Sequence, residues 1–252
     1  MVTGGTGTLG RLVVQQLGDA GRAVRVLTRR GPRPGAGADG VQFMTGDLRA
    51  GAGIEPAADG VPAIVHCASD SKGDAEATRN LVRAARAGGG KPHLVYISIV
   101  GADRVTFGYV RAKLEAEHIV ADSGLPWTTL RATQFYDLIL NGTRKLARLP
   151  VVPVPAGFPT QPVDAGEVAA RLAELTLGEP AGRVPDMAGP QVLGFADLVC
   201  GYLRATRHRR PVMPVWLPGL RRIRDGALLP EPSAETLIGT RTWEGFLADR
   251  LG

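Results

Sequence analysis

Short apolar runs alternate with helix-period segments along the first half of the chain. Met1–Thr3, Ala23–Thr28, Val41–Thr45, Ala63–Cys67, Leu94–Ser98 and Trp127–Arg131 are bounded by turn residues and predict strands. Leu9–Ala20, Ala75–Ala87 and Tyr109–Asp122 carry apolar positions at helical spacing and predict helices between them. This alternation predicts an α/β fold, a doubly wound parallel sheet with right-handed crossovers and ligands at the carboxyl ends of its strands. The first strand is short before the glycines begin, which reads as a truncated strand or a start downstream of the true one.

After Arg131 the texture changes. Pro150, Pro153, Pro155, Pro159 and Pro162 exclude a central strand and predict a loop over one end of the sheet. A helix at 164–177, an extended piece at Val184–Ala188, a helix at Phe195–Ala205 and a region carrying Trp216 and Trp243 follow. The expected division is residues 1–150 for the main sheet and 151–252 for a smaller part that completes and covers it.

Composition narrows the class. The chain has 252 residues, 44% hydrophobic and 21% charged, enough for one sizeable core and too balanced for disorder. It contains no apolar run long enough to span a bilayer and enters a glycine-rich turn without an apolar leader, so a cytoplasmic protein with no membrane association is expected. Cys67 and Cys200 lack metal-site spacing and read as reduced, buried thiols, with no metal expected. The net charge of +6 comes largely from scattered arginines, with only four lysines. The densest cluster, Arg204 to Arg210, sits at a helix end before Pro211, so no nucleic-acid partner is expected.

Thr3-Gly4-Gly5-Thr6-Gly7-Thr8-Leu9-Gly10 joins a strand to an amphipathic helix and contains both GxGxxG and GxxGxxG. In that context the glycines permit a tight turn and close backbone approach, and the helix N-terminus aims amide groups at a pyrophosphate. An acid at the end of the second strand would select NAD by binding the ribose hydroxyl. Thr28, Arg29 and Arg30 stand there instead, suited to a 2′-phosphate, so NADPH/NADP⁺ is the expected cofactor. Asp47, with Leu48, lies where an adenine amino group would be, and His66-Cys67-Ala68-Ser69 should wall the adenine ribose. His66 reads as a strand-end histidine satisfied by backbone, without a chemical role.

Ser98 closes the fifth strand, and Tyr109 and Lys113 share one face of the next helix. An ammonium beside a phenol favours its ionisation and reaches the nicotinamide ribose. Tyr109 then protonates a carbonyl oxygen as hydride arrives, with Ser98 hydrogen-bonded to that oxygen.

These residues resemble the short-chain dehydrogenase/reductase superfamily, in particular its atypical NmrA-like NAD(P)-binding branch. The likeness is carried by the Thr3–Gly10 loop, Gly46-Asp47, Tyr96 to Gly101, Tyr109 to Lys113, Gly124 to Thr128, Leu130 to Phe135 and Gly239 to Trp243. It implies a Rossmann-type sheet with a small C-terminal substrate-binding subdomain, and places Thr133, Gln134 and Phe135 near the nicotinamide. Two departures stand out. Ser98 and Tyr109 are closer in sequence than is usual in the superfamily, and His66-Cys67-Ala68-Ser69 replaces the usual Asn-Ala-Gly stretch. The spacing puts Tyr109 at the helix start, so the proton comes from Tyr109 or, if that hydroxyl is misplaced, from substrate or solvent.

Two functions fit. One is an NADPH-dependent ketoreductase of polyketide or antibiotic biosynthesis. Its acceptor would be a bulky aromatic ketone of the angucyclinone kind, in an apolar pocket closed by Pro150–Pro162, Trp216–Leu220 and Phe135. A quinone reductase is a variant of it. The other is an NADP(H)-binding redox sensor without turnover, which generally lacks the Tyr109–Lys113 pair. A small-molecule ketone is the expected partner, and a monomer or homodimer the expected state.

Overall fold

A computed structural model describes residues 1–31, 40–69, 73–105, 108–219, 221–231 and 235–251. The elements begin with β1 (Val2–Thr3), α1 (Thr8–Asp19), β2 (Val24–Thr28), β3 (Val41–Thr45), α2 (Glu55–Ala58), β4 (Ala63–His66) and α3 (Asp74–Ala87). They continue with β5 (His93–Ile99), α4 (Gly108–Ala121), β6 (Trp127–Ala132), α5 (Tyr136–Leu146), β7 (Val152–Pro155), β8 (Pro159–Thr160) and α6 (Ala165–Leu177). The last are β9 (Gly182–Arg183), β10 (Asp186–Ala188), β11 (Leu193–Gly194), α7 (Phe195–Ala205), β12 (Val212–Val215), α8 (Arg221–Arg224), β13 (Thr236–Ile238) and α9 (Trp243–Leu251).

Two compact units interleave along the chain. The first comprises Met1–Ser98, Thr106–Arg131 and Gly166–Val184, and the second Ile99–Val105, Ala132–Ala165 and Pro185–Gly252.

The first unit is a parallel sheet ordered β6-β5-β4-β1-β2-β3 and flanked by helices, a Rossmann-like α/β arrangement. Strand order reverses beside β1, where Thr3 pairs with Leu27 on one side and with His66 on the other. Ligands of such sheets bind outside the carboxyl ends of the strands at this switch point. The central strands are apolar-rich and buried along nearly their whole length because both faces are covered. β5 is buried over six of its seven residues, and Leu27, Ile64, Leu81, Leu94 and Tyr96 form the core with Ala116 and Val120 of α4.

The second unit packs α5, α7 and α9 around Tyr136, Leu198, Val199, Trp243 and Phe246. Trp243 stacks on Phe246 and donates its indole N–H to the Leu198 carbonyl at 3.0 Å. The proline-rich segment is not the expected continuous loop. It contains β7, which pairs in parallel with β12, and β8, which pairs with β11. Both are two-stranded ribbons, in which every strand is an edge and prolines can point their missing donors away from the ladder. The thiols need a second correction, because Cys67 is half-buried and Cys200 exposed. Position 200 follows Leu198 and Val199, which take up the buried face of α7, and so turns outward. The Arg204–Arg210 cluster begins in the last turn of α7 and runs past it with all its arginines exposed, as expected of a solvated helix end. No helix of the described residues is long and apolar enough to cross a membrane.

Candidate active site

The turn after β1 is built so that only glycine fits. Gly4 has φ +68°, and a Cβ there would lie 2.7 Å from the Ala68 backbone nitrogen and 2.8 Å from the Cys67 carbonyl carbon. A Cβ on Gly10 would stand 2.1 Å from the Gly4 carbonyl oxygen. That carbonyl accepts from the Gly7 amide at 2.9 Å, closing the turn. Gly7 caps α1 without a side chain, Thr6, Gly7 and Thr8 are exposed, and no acid occupies the first turn of the helix. The first helical amides therefore face outward with a positive dipole end, the environment a pyrophosphate requires. Leu9 and Gly10 are buried beneath them and fix the angle of the helix. This cradle fits a dinucleotide: Gly4, Thr6, Gly7, Thr8 and Gly10 would hold the phosphates.

Thr28, Arg29, Arg30, Asp47, Leu48, Cys67, Ala68 and Ser69, also read as cofactor contacts, lie at or just past the ends of neighbouring strands of the same unit. Arg29 and Arg30 are exposed just past β2, and Thr28 donates its hydroxyl to the Arg30 carbonyl at 3.0 Å, tying that turn. Asp47 accepts from the Arg49 and Ala50 amides through Oδ1, at 2.8 and 3.2 Å, so one carboxylate oxygen is committed to the turn that also holds Leu48. Ala68 donates its amide to the Thr3 hydroxyl at 3.3 Å, which draws the end of β4 against β1. Burial pushes the Cys67 thiol up to about 12, slightly opposed by Lys113, so it is not a nucleophile at neutral pH.

His66 is fully buried, and its partners differ from the expected backbone groups. Nδ1 lies 2.7 Å from the Thr3 hydroxyl and Nε2 3.1 Å from that of Thr78. Burial, with Lys113 adding to it, lowers its pKa to about 3, so it stays neutral and plays no acid–base part.

Tyr109 is the second residue of α4, at the helix start as its spacing from Ser98 predicts. It is 38% exposed, and its hydroxyl lies 2.9 Å from Ser69 Oγ. Ser69 donates to Oδ2 of the buried Asp74 at 3.1 Å, and Lys113 Nζ approaches that same oxygen at 3.4 Å. The ammonium also donates to the Ile97 carbonyl at 3.4 Å and lies over the rings of Tyr96 and Tyr109, 5.0 and 5.7 Å from their centroids. Burial disfavours the Lys113 charge, but the two phenols and Asp74 outweigh it and the pKa is raised. Burial also pushes the Tyr96 phenol up, so Tyr96 is a neutral wall of the cluster. Lys113 is thus committed inward to a carboxylate and a carbonyl rather than standing free beneath Tyr109.

Ser98 is buried in β5, and its hydroxyl has no hydrogen-bond partner among the described residues; it is not bonded to Tyr109. Asp74 and Tyr96 are the members of the cluster that sequence reasoning missed as site residues. Asp74 lies one residue before the helix read as Ala75–Ala87, and in the structure it is the buried first residue of α3.

Thr133, Gln134 and Phe135 lie in the second unit. Thr133 donates its hydroxyl to the Gln161 carbonyl at 2.6 Å, Gln134 accepts from the Val163 amide at 2.9 Å, and Phe135 bridges to Val163. Gln134 Oε1 is buried without a partner among the described residues. In the expected apolar wall Phe135 is half-buried, Trp216 is exposed with the Arg224 guanidinium 3.5 Å above its ring, and Leu220 lies outside the described residues.

Known proteins resemble this chain in both sequence family and fold. The NAD(P)H-binding family matches residues 4–175. The chain belongs to that family. A family relative, (4-alkanoyl-5-oxo-2,5-dihydrofuran-3-yl)methyl phosphate reductase of Streptomyces griseus, is 34% identical over 77% of this chain and 68% of its own length. Quinone oxidoreductase 2 of Escherichia coli is 31% identical over 52% of this chain and 46% of its own. Among solved structures, an E. coli NADPH-dependent quinone oxidoreductase complexed with NADPH superimposes with a TM-score of 0.81 at 21% identity, covering 100% of this chain and 99% of that one. Triphenylmethane reductase of Citrobacter sp., complexed with NADP(H), gives 0.81 at 22% identity, with 99% of each chain covered. The chain is an NAD(P)H-dependent oxidoreductase.

Proposed function

We propose that this family member is an NADPH-dependent reductase acting on a carbonyl of a bulky aromatic ketone, a polyketide of the angucyclinone type being the substrate class in view. The observation that carries the reading is the half-exposed Tyr109 hydroxyl, anchored through Ser69 and Asp74 beside a buried Lys113 in the unit that holds the glycine cradle. NADPH, when bound, supplies the hydride. The α1 amides and the Gly4–Gly10 turn hold its phosphates, and Arg29 and Arg30 select the 2′-phosphate with charge-assisted hydrogen bonds. Tyr109 contacts the reacting compound, and Lys113 and Asp74 fix where that phenol stands. The proton that completes the reduction comes from Tyr109 or from a hydroxyl of substrate or solvent.

Quinone reduction is the second reading, favoured by the 31% identity to quinone oxidoreductase 2. The conjugated dihydrofuranone in the name of the Streptomyces griseus relative's substrate supports an electron-poor acceptor in either case. The test is steady-state NADPH oxidation with a panel of aryl ketones and quinones, with the product identified. Reduction of an aryl ketone to its alcohol supports the first reading, and turnover of quinones alone supports the second. NADPH binding with no oxidation by any acceptor would overturn both in favour of a redox sensor.

A further inference from the structure

We infer that Asp74 fixes the direction of the hydrogen bonds behind Tyr109, so that Tyr109 meets its substrate as a hydrogen-bond acceptor and selects carbonyl compounds that present a hydroxyl to it. The inference rests on the reductase reading and deepens it by naming a feature of the substrate.

A serine hydroxyl has one proton to give. Ser69 gives its proton to Asp74 Oδ2 at 3.1 Å. The Asp74 carboxylate is paired with the Lys113 ammonium at 3.4 Å and has no proton to return. The 2.9 Å contact between Ser69 Oγ and the Tyr109 hydroxyl is then satisfied only with Tyr109 as donor. Hydrogen bonds therefore run one way, from Tyr109 to Ser69 to Asp74. The side chains of Asp74 and Lys113 are 4% and 3% exposed, so water does not compete for the inner end. The outer end is the phenol oxygen of a 38% exposed side chain, with its proton turned inward and its lone pairs turned out.

A bare carbonyl oxygen placed against those lone pairs meets an acceptor with another acceptor. A phenolic or enolic hydroxyl meets them with a donor. The substrate class that fits is therefore a ketone or quinone carrying such a hydroxyl, oriented by that group on Tyr109 while its carbonyl reacts. Ser69 and Asp74 do not touch the substrate; they are positioning residues. The proton that completes the reduction then comes from substrate or solvent, because Tyr109 has committed its own.

The substrate test compares a hydroxyaryl ketone with its O-methyl ether. In the wild type the free hydroxyl is preferred about tenfold or more in kcat/KM, carried by KM, since a site built around a donor penalises the analogue that lacks it. Tyr109→Phe raises KM for the hydroxyaryl ketone and leaves kcat within a few-fold, whereas a tyrosine acting as proton donor would lose kcat by about a hundredfold. Ser69→Ala leaves the Asp74–Lys113 pair intact, releases the phenol proton and collapses the preference toward unity. Asp74→Asn, whose amide can donate to Ser69, does the same.

An independent readout uses no turnover. In the NMR spectrum the Tyr109 hydroxyl proton, assigned by its loss in Tyr109→Phe, shows an NOE to the Ser69 Hβ protons, and this disappears in Ser69→Ala and shifts in Asp74→Asn. Wild type that reduces both ketones equally, or a Tyr109 hydroxyl proton with no Ser69 NOE, overturns the inference while leaving the reductase reading standing. Failure of every acceptor overturns the reductase reading instead, and the NMR result still decides the direction of the hydrogen bonds.

Discussion

Gly10 and Gly18 lie on the same helix, and the structure assigns them different responses to one added methyl group. In Gly10→Ala the new Cβ falls 2.1 Å from the Gly4 carbonyl oxygen and 2.6 Å from its carbon. The carbonyl must retreat by about 1 Å to reach tolerable contact. It cannot swing freely, because Gly4 is wedged against the Ala68 backbone. Overpacking of this kind costs about 1–3 kcal/mol. Retreat of the Gly4 carbonyl also stretches the bond it accepts from the Gly7 amide, worth about 1 kcal/mol more. Gly18 is in the last turn of α1 with nothing within 4 Å, so Gly18→Ala keeps or raises stability, by up to about 0.5 kcal/mol. Urea unfolding gives both stabilities, and NADPH fluorescence titration gives the functional consequence. Gly10→Ala should be less stable and bind NADPH at least about tenfold more weakly, because the α1 amides are no longer held in position. Gly18→Ala should bind as the wild type does. Undiminished NADPH affinity in Gly10→Ala would refute the assignment of this turn as the phosphate cradle.

Three further outcomes follow from the same geometry. Replacing Arg29 and Arg30 together with alanine should raise KM for NADPH by about tenfold or more and leave KM for NADH nearly unchanged, since a charge-assisted hydrogen bond contributes about 1.5–3 kcal/mol; unchanged NADPH kinetics would show them to be surface charges. His66 has a folded-state pKa of about 3, below its unfolded value, so the unfolded chain takes up the proton first. Its contribution is fully present above about pH 6.5 and is lost at about 1.4 kcal/mol per unit as pH falls toward 3, a slope that urea unfolding at pH 7, 6 and 5 should lose in His66→Asn. Ser98→Ala removes a buried hydroxyl without a partner among the described residues, so stability should hold or rise by up to about 1 kcal/mol while kcat falls if Ser98 bonds the reacting oxygen; loss of stability with unchanged kcat would assign it to packing.

The first unit was legible in the sequence because its central strands are short, apolar-rich runs bounded by turn residues. Each of the six strands read from Met1 to Arg131 begins and ends within a residue of its structural counterpart. α7 coincides with the segment read as Phe195–Ala205. α5 was not predicted; Asn141-Gly142, a pair common in turns, sits inside it, yet Gly142 has open space around it and the helix passes through, held by Tyr136, Ile139 and Leu140 in the core. The ribbon of β7 and β12 joins residues about sixty apart, Val152 to Val212, and no local pattern announces such a pairing. Interleaving of the two units is hidden for the same reason. Periodicity reports which face of an element is buried, not which distant segment buries it.

The site divides along a similar line. Backbone chemistry could be read from residue type and spacing: the glycines of the turn, and the position of Tyr109 at the start of its helix. Side-chain partnership could not. Ser69 reads as part of a backbone wall beside a ribose, yet its hydroxyl is the link between Tyr109 and Asp74. Lys113 reads as a cation reaching outward, yet its nearest anion is a carboxylate from α3, and α3 is placed there by Leu81 and Val82 in the core it shares with α4. The helix spacing that puts Tyr109 and Lys113 on one face is unchanged. What the packing of α3 adds is a negative charge beneath them, and that charge, not the motif, decides which way the tyrosine's proton points.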